Sequence, residues 1–236
     1  VKKKSEKKNP VKILIIDNNI DLDCWGSEDL RQCAQIAPDA TIITRRAPEN
    51  DLPTSPAEFD SIIVSGSKTS GLEEAPWVDQ LIQFTQCAIE MQKPFLGVCF
   101  GHQILARSLG GKKVVGKATT PEFGWSQIRI VESSHLMKGL ENPFYSFSSH
   151  FEEVSQLPRG MRKLAESELC PIQACQLEDL PIFGIQFHPE KSARDAEKIF
   201  MDKRKAKELK LLHPKLSKEL YSSKIAETIF SNFFKL

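Results

Sequence analysis

The run Pro94-Phe95-Leu96-Gly97-Val98-Cys99-Phe100-Gly101-His102-Gln103 decides how the chain is read. Its apolar part has the character of a buried strand and stops abruptly at Cys99. Beyond it, Ile104, Leu105 and Leu109 fall at helical spacing. A strand, a sharp turn and a helix in that order lift the Cys99 side chain to the carboxyl end of a sheet, beside a helix N-terminus. The helix dipole and its free N–H groups favour the thiolate there, and the thiolate is the nucleophile.

Working outward, the upstream sequence alternates between the two kinds of element. Residues 12–17 (KILIID) form a near-continuous apolar run, the mark of a strand buried on both faces. Residues 27–36 read as a helix with Glu28 and Asp29 in its first turn. Residues 41–44 and 61–64 read as strands, the second ending in Ser65-Gly66-Ser67. Pro76 opens a helix reaching about Met91, with Trp77, Leu81, Phe84 and Ala88 on one face. Downstream of Gly110-Gly111 the pattern changes. Residues 126–131, 144–148 and 161–165 alternate like half-exposed antiparallel strands, and 182–187 returns to buried-strand character. Ile225, Ile229, Phe230 and Phe233 give a final amphipathic helix. The order predicts an α/β fold: a three-layer sandwich with a central, mostly parallel sheet, helices on both faces and a small antiparallel annex.

The composition narrows the function classes. The chain has 236 residues, enough for one large core, and is 40% hydrophobic and 27% charged, as soluble globular domains are. A formal net charge of +1 gives no field that would gather nucleic acid. Lysines 2, 3, 4, 7 and 8 make residues 1–10 a basic tail, expected to be disordered, ahead of one domain over 11–236. A second basic run, residues 198–210, is expected to be helical with a solvated face or a docking surface. No apolar run approaches membrane-spanning length, and the basic start lacks the apolar stretch of a signal peptide, so a cytoplasmic setting is expected. The cysteines at 24, 33, 87, 99, 170 and 175 show no finger-like spacing and are expected to be thiols. No histidine pair has metal-ligand spacing, and neither metal nor cofactor is expected.

A thiolate nucleophile needs a group that takes and returns a proton, and histidine suits neutral pH. Of His102, His135, His150, His188 and His213, the best placed is His188, in Gly184-Ile185-Gln186-Phe187-His188-Pro189-Glu190. A buried-type strand runs into it, and Pro189 keeps the backbone at His188 extended. In extended chain, residues two apart point the same way, so Glu190 can orient the ring and stabilise its cation. His102 lies a helical turn beyond Cys99 and is a weaker base candidate; His150 either lines the cleft or is a satisfied loop residue. Attack on an amide also needs an oxyanion hole. One donor is expected from the Phe100 N–H and the other from the turn Ser65-Gly66-Ser67-Lys68.

These two motifs, with Cys99 and His188 at their centres, resemble the class I (triad-type) glutamine amidotransferases, over about residues 12–191, and within them the stand-alone, GMP-synthase-like glutaminase domains. The resemblance implies that Cys99 attacks the side-chain amide of glutamine, forming a γ-glutamyl thioester and releasing ammonia, with His188 as acid and base and Glu190 behind it. It implies Gln103 as a substrate contact, Gly66 and Ser67 as the oxyanion turn, and Ser149-His150 near bound glutamine. Many members carry two glycines in the turn where this chain has Ser67, which fits relatives acting on other γ-glutamyl amides. The chain carries no phosphate-binding Gly-rich motif, so the ammonia would pass to a separate synthetase subunit. Two alternatives stand beside this reading: a hydrolase of γ-glutamyl conjugates with the same triad, and a regulatory binding protein that kept the fold without the chemistry.

Overall fold

The computed structural model describes residues 10–21, 27–201 and 211–236. The N-terminal lysines, Cys24 and most of the basic run 198–210 lie outside the described residues. The sheet has nine strands in the order β2-β1-β3-β4-β9-β8-β7-β5-β6. They are β1 (Lys12–Asp17), β2 (Thr41–Arg46), β3 (Ser61–Val64), β4 (Phe95–Val98), β5 (Val115–Ile130), β6 (Phe144–Val154), β7 (Met161–Glu166), β8 (Ala174–Leu177) and β9 (Ile182–Ile185). The helices are α1 (Ser27–Ala34), α2 (Pro76–Glu90), α3 (Phe100–Gly110), α4 (Ala193–Phe200), α5 (Ser217–Leu220) and α6 (Ser223–Phe233).

The apolar strands are buried on both sides, and their alternate residues feed two separate cores. Leu14, Ile16, Ile62, Val64 and Phe95 pack with Trp77, Val78 and Leu81 of α2 and Ile104 and Leu105 of α3. Ile13, Ile15, Ile63, Leu96 and Val98 pack with Leu30 of α1 and Ile229, Phe230 and Phe233 of α6. Helices therefore cover both faces, as expected. The three α6 anchors are at most 1% exposed, and each such side chain contributes about 1.5–3 kcal/mol on burial.

The strand directions differ from expectation. β2, β1, β3, β4 and β9 run parallel, but β9–β8, β8–β7, β7–β5 and β5–β6 are all antiparallel pairings. The antiparallel part is no minor annex. Its long hairpin starts at Val115, well before the residues whose alternation marks a strand. The early half of β5 is hidden in sequence by the polar stretch 117–121 and a register irregularity between Lys117 and Glu122. Past it, residues 122–126 of β5 are buried, and Phe123 and Trp125 on one face pack with Phe147 of β6 and Ala196 and Ile199 of α4 in a third core. β8 is four buried residues without alternation, which no periodicity reveals.

Candidate active site

Cys99 sits between β4 and α3 with φ 51° and ψ −103°. A non-glycine residue at positive φ is strained, and here the strain raises the side chain above the sheet edge. Two close approaches make this elbow possible. A Cβ on Gly97 would lie 2.4 Å from the Gly101 carbonyl oxygen, and one on Gly101 would lie 2.2 Å from the Val64 carbonyl oxygen. With glycine at both places, α3 settles directly on β3 and β4. The Cys99 N–H donates to the Ile185 carbonyl at 2.8 Å, fixing the elbow to β9.

His188 follows β9 and is tied to β6 by its own N–H, which donates to Phe147 O at 2.7 Å. Its Nδ1 meets Glu190 Oε1 at 2.7 Å, and both side chains are nearly buried. The ring also hydrogen-bonds the Cys99 side chain. Burial alone would push the imidazole pKa down. The charges on Glu190 and Cys99, with their hydrogen bonds, outweigh burial and raise it to about 10. Burial likewise pushes the Glu190 carboxyl up, and the facing His188 cation reverses this and holds it below its ordinary range. The three residues named from sequence thus converge, with His188 between the sulfur and the carboxylate.

The turn after β3 faces them. A Cβ on Gly66 would lie 2.9 Å from His188 Cε1 and 3.5 Å from Cys99 Cβ. Gly66 is needed here for its small size, since its φ is not in the positive range. Ser67 is also free of positive φ. Its hydroxyl donates to Asn18 O at 2.7 Å and accepts from the Thr69 N–H at 3.0 Å. Asn18 braces the same turn through Nδ2 to Ser65 O at 2.8 Å. Phe100 opens α3, so its N–H has no carbonyl inside the helix to bond. Ser67, Phe100, Gln103, Ser149 and His150 line one pocket of about 300 Å³ with Cys99 and His188.

Within that wall, Gln103 Nε2 donates to Glu152 O at 2.8 Å and to Gln186 Oε1 at 3.2 Å. The Ser149 carbonyl lies 3.9 Å from Cys99 Sγ. His150 turns both ring nitrogens into the protein: Nε2 to Glu122 Oε2 at 2.9 Å and Nδ1 to Glu152 O at 3.2 Å. His102 is unsuited as a base. Its ring is wholly buried beneath β9, Nδ1 lies 3.5 Å from Cys175 Sγ, and burial, helped by His150, pushes its pKa down to about 3. Cys33, Cys87, Cys99, Cys170 and Cys175 are free thiols.

One buried group among the described residues has metal-ligating atoms close together: Glu122, His150 and Cys170, within 4.8 Å of one another. The Glu122 carboxylate already accepts from Ser167 Oγ, Gln173 Nε2 and the His150 ring, so hydrogen bonds account for it. Burial and the neighbouring Glu153 raise the Cys170 thiol well above its usual range, which disfavours the thiolate a metal would need. Sequence reading missed Glu152, Asn18 and Gln186 at the site. Glu152 accepts from Ser70 Oγ at 2.6 Å and from the Gly71 N–H at 2.5 Å, closing the loop after the turn onto β6. Gln186 carried a usable signal: an amide between Ile185 and Phe187 in an otherwise apolar run.

Residues 30–206 match the family Glutamine amidotransferase class-I. A glutamine-hydrolyzing GMP synthase subunit from Pyrococcus abyssi is 45% identical over 101 residues, 43% of this chain and 53% of that protein. The protein of the same name from Sulfurisphaera tokodaii is 36% identical over 151 residues, 64% of this chain and 76% of its own. The match thus spans about half the length of several of these relatives. A glutamine amidotransferase from Thermotoga maritima superposes with a TM-score of 0.77 at 21% identity, covering 97% of this chain and 98% of its own. One from Methylobacillus flagellatus gives 0.77 at 20% identity, covering 96% and 94%. At such identities the two structures speak for the fold alone.

Proposed function

Since the chain belongs to the class-I glutamine amidotransferase family, we propose that it hydrolyses the side-chain amide of glutamine through a thioester on Cys99. The observation that carries this is His188, held cationic between Glu190 and the Cys99 sulfur at the wall of a pocket. The sulfur attacks the amide carbon, and the developing oxyanion is held by the N–H groups of Phe100 and Ser67. The His188 cation gives its proton to the departing nitrogen, so ammonia leaves and a γ-glutamyl thioester remains. The now neutral His188 takes a proton from water, which attacks the thioester. Glutamate then leaves as the sulfur departs, and His188 is again cationic. Glu190 keeps the ring oriented and its charge stabilised throughout. Gln103, Ser149 and His150 shape the substrate wall.

The ammonia acceptor is part of the proposal: a separate synthetase subunit, supported by relatives whose names mark them as one subunit of a GMP synthase. A cytoplasmic setting is likewise proposed, supported by the free thiols; no helix among the described residues is long and apolar enough to cross a membrane. A substrate panel tests the whole reading. Glutamine, γ-glutamyl amides and γ-glutamyl dipeptides are offered to the wild type and to Cys99→Ala. Glutamine turnover that vanishes in the folded variant is expected. Efficient dipeptide cleavage with poor glutamine turnover would replace it with the γ-glutamyl hydrolase. Failure of Cys99 to react with a glutamine-analogue electrophile would point to a binding protein.

A further inference from the structure

Gln186 has no role in the scheme above, yet its amide touches the reacting atom. The side chain is fully buried, and Nε2 donates to Cys99 Sγ at 3.4 Å. The direction of this amide is fixed by a chain of hydrogen bonds that cannot be reversed. Its origin is the main-chain carbonyl of Glu152, which can only accept. Gln103 must therefore turn its NH2 group toward it, at 2.8 Å. The same NH2 group also donates to Gln186 Oε1 at 3.2 Å. That leaves the Gln186 NH2 group facing the sulfur. The backbone end is equally fixed, with the Gln186 N–H on Gln173 O at 2.8 Å.

Glu152 also holds the pocket loop, through Ser70 Oγ and the Gly71 N–H. A Cβ on Gly71 would lie 2.2 Å from Gln103 Oε1, so the loop backbone presses on the first amide of the chain. The loop that lines the pocket is thus connected, through Glu152, Gln103 and Gln186, to the nucleophile.

We propose that Gln186 is an N–H donor to the Cys99 thiolate, holding the sulfur ionised and aimed, with its own orientation set by Gln103. This rests on Cys99 being the nucleophile. A donor to an anionic sulfur stabilises the thiolate relative to the thiol and restricts its rotation. The Ser149 carbonyl on the same sulfur is an acceptor and cannot do this.

The test uses two variants and a probe independent of turnover. Gln186→Glu keeps an oxygen for Gln103 but offers no N–H to the sulfur; Gln186→Met removes both bonds at similar volume. Alkylation of Cys99 by iodoacetamide is followed from pH 5 to 10, with Cys99→Ala as the blank. Both variants are expected to react roughly three- to tenfold more slowly at pH 7, with the inflection moved to higher pH. kcat should fall while KM changes little. A purely structural role would leave the inflection of Gln186→Met, which adds no charge beside the sulfur, at the wild-type pH, and that result overturns the proposal. In 15N-labelled wild type, the Gln186 side-chain amide signal should shift through the Cys99 titration. A signal indifferent to it overturns the proposal even where both variants misfold. Wild type no more reactive than the Cys99→Ala blank would overturn the nucleophile itself, a result distinct from either.

Discussion

His188 Nδ1 and Glu190 Oε1 lie 2.7 Å apart, brought together by a turn over Pro189 and Glu190 that the Lys191 N–H closes onto the His188 carbonyl at 3.2 Å. Burial of the imidazole works against its cation, and the carboxylate is the largest influence in favour of it. Glu190→Gln removes that charge at nearly the same shape. Burial should then prevail and leave His188 neutral at pH 7. The expected loss of glutamine turnover is about 10²-fold or more, with the fold retained. NMR titration of the His188 ring checks the cause: an inflection near the wild-type value of about 10 in the variant would refute it.

Gly66 tests how little room the imidazole has. Its backbone is not in the left-handed region, so alanine there brings no backbone strain. The new methyl carbon would sit 2.9 Å from His188 Cε1, closer than real side-chain contacts come. Gly66→Ala should lower kcat by roughly tenfold or more, since small displacements of a catalytic group are costly, with little change in thermal midpoint. Unchanged kinetics would show that the ring or the turn moves aside freely.

Much of this site was legible because its chemistry is local. Strand β4, the elbow and α3 are contiguous, and so are β9, His188 and Glu190, so apolar runs suffice to bring them to the site; the extended stretch expected across Pro189 is instead a turn, closed by the Lys191 N–H on the His188 carbonyl. β1, β3 and β4 begin and end where their apolar runs do. The early half of β5 and the whole of β8 were not legible. The first is masked by its polar stretch and by the register irregularity between Lys117 and Glu122, and the second is too short for a period to emerge. The same holds at the site. Asn18 meets Ser65 from 47 positions away, and Gln186 meets Cys99 from 87. Such pairs are set by the order of strands across the sheet, in which β1 neighbours β3 and β4 neighbours β9. The half-antiparallel sheet itself follows from hairpin closure downstream of α3, where the alternating segments suggested only a minor patch.

Ser67 lies in the turn proposed to hold the oxyanion, and the structure gives its hydroxyl two partners, Asn18 O and the Thr69 N–H. Each such bond contributes about 0.5–1.5 kcal/mol net. Ser67→Ala keeps the backbone N–H but removes the hydroxyl's bond to the Asn18 carbonyl. kcat should fall several-fold, amide hydrogen exchange across residues 65–69 should speed up, and Ser67→Gly should be worse because the backbone gains freedom. Exchange as slow as in the wild type would mean that Asn18 and Ser65 alone hold the turn.

His102 contributes to how the fold responds to acid. Its ring is buried against Gly184, where a Cβ would come within 2.3 Å of Nδ1, and burial pushes its pKa from 6.5 down to about 3. Between those two values the unfolded chain binds a proton at this histidine and the folded chain does not. Stability therefore rises with pH across that window and is lost as the solution is acidified from 6.5 toward 3, by up to about 1.4 kcal/mol per pH unit from this group. Glu190 and Glu122, both held below the ordinary carboxylate range, add losses of the same sign at the acid end. His102→Gln removes the titrating ring while keeping a polar group near Cys175. Urea unfolding of wild type and variant at pH 7, 6, 5 and 4 separates the contributions. The variant should be the less stable at pH 7, where its repacking cost stands alone, and its stability should decline less steeply below pH 6.5. Parallel declines would show that the histidine protonates in place, with the elbow helix yielding to accommodate it.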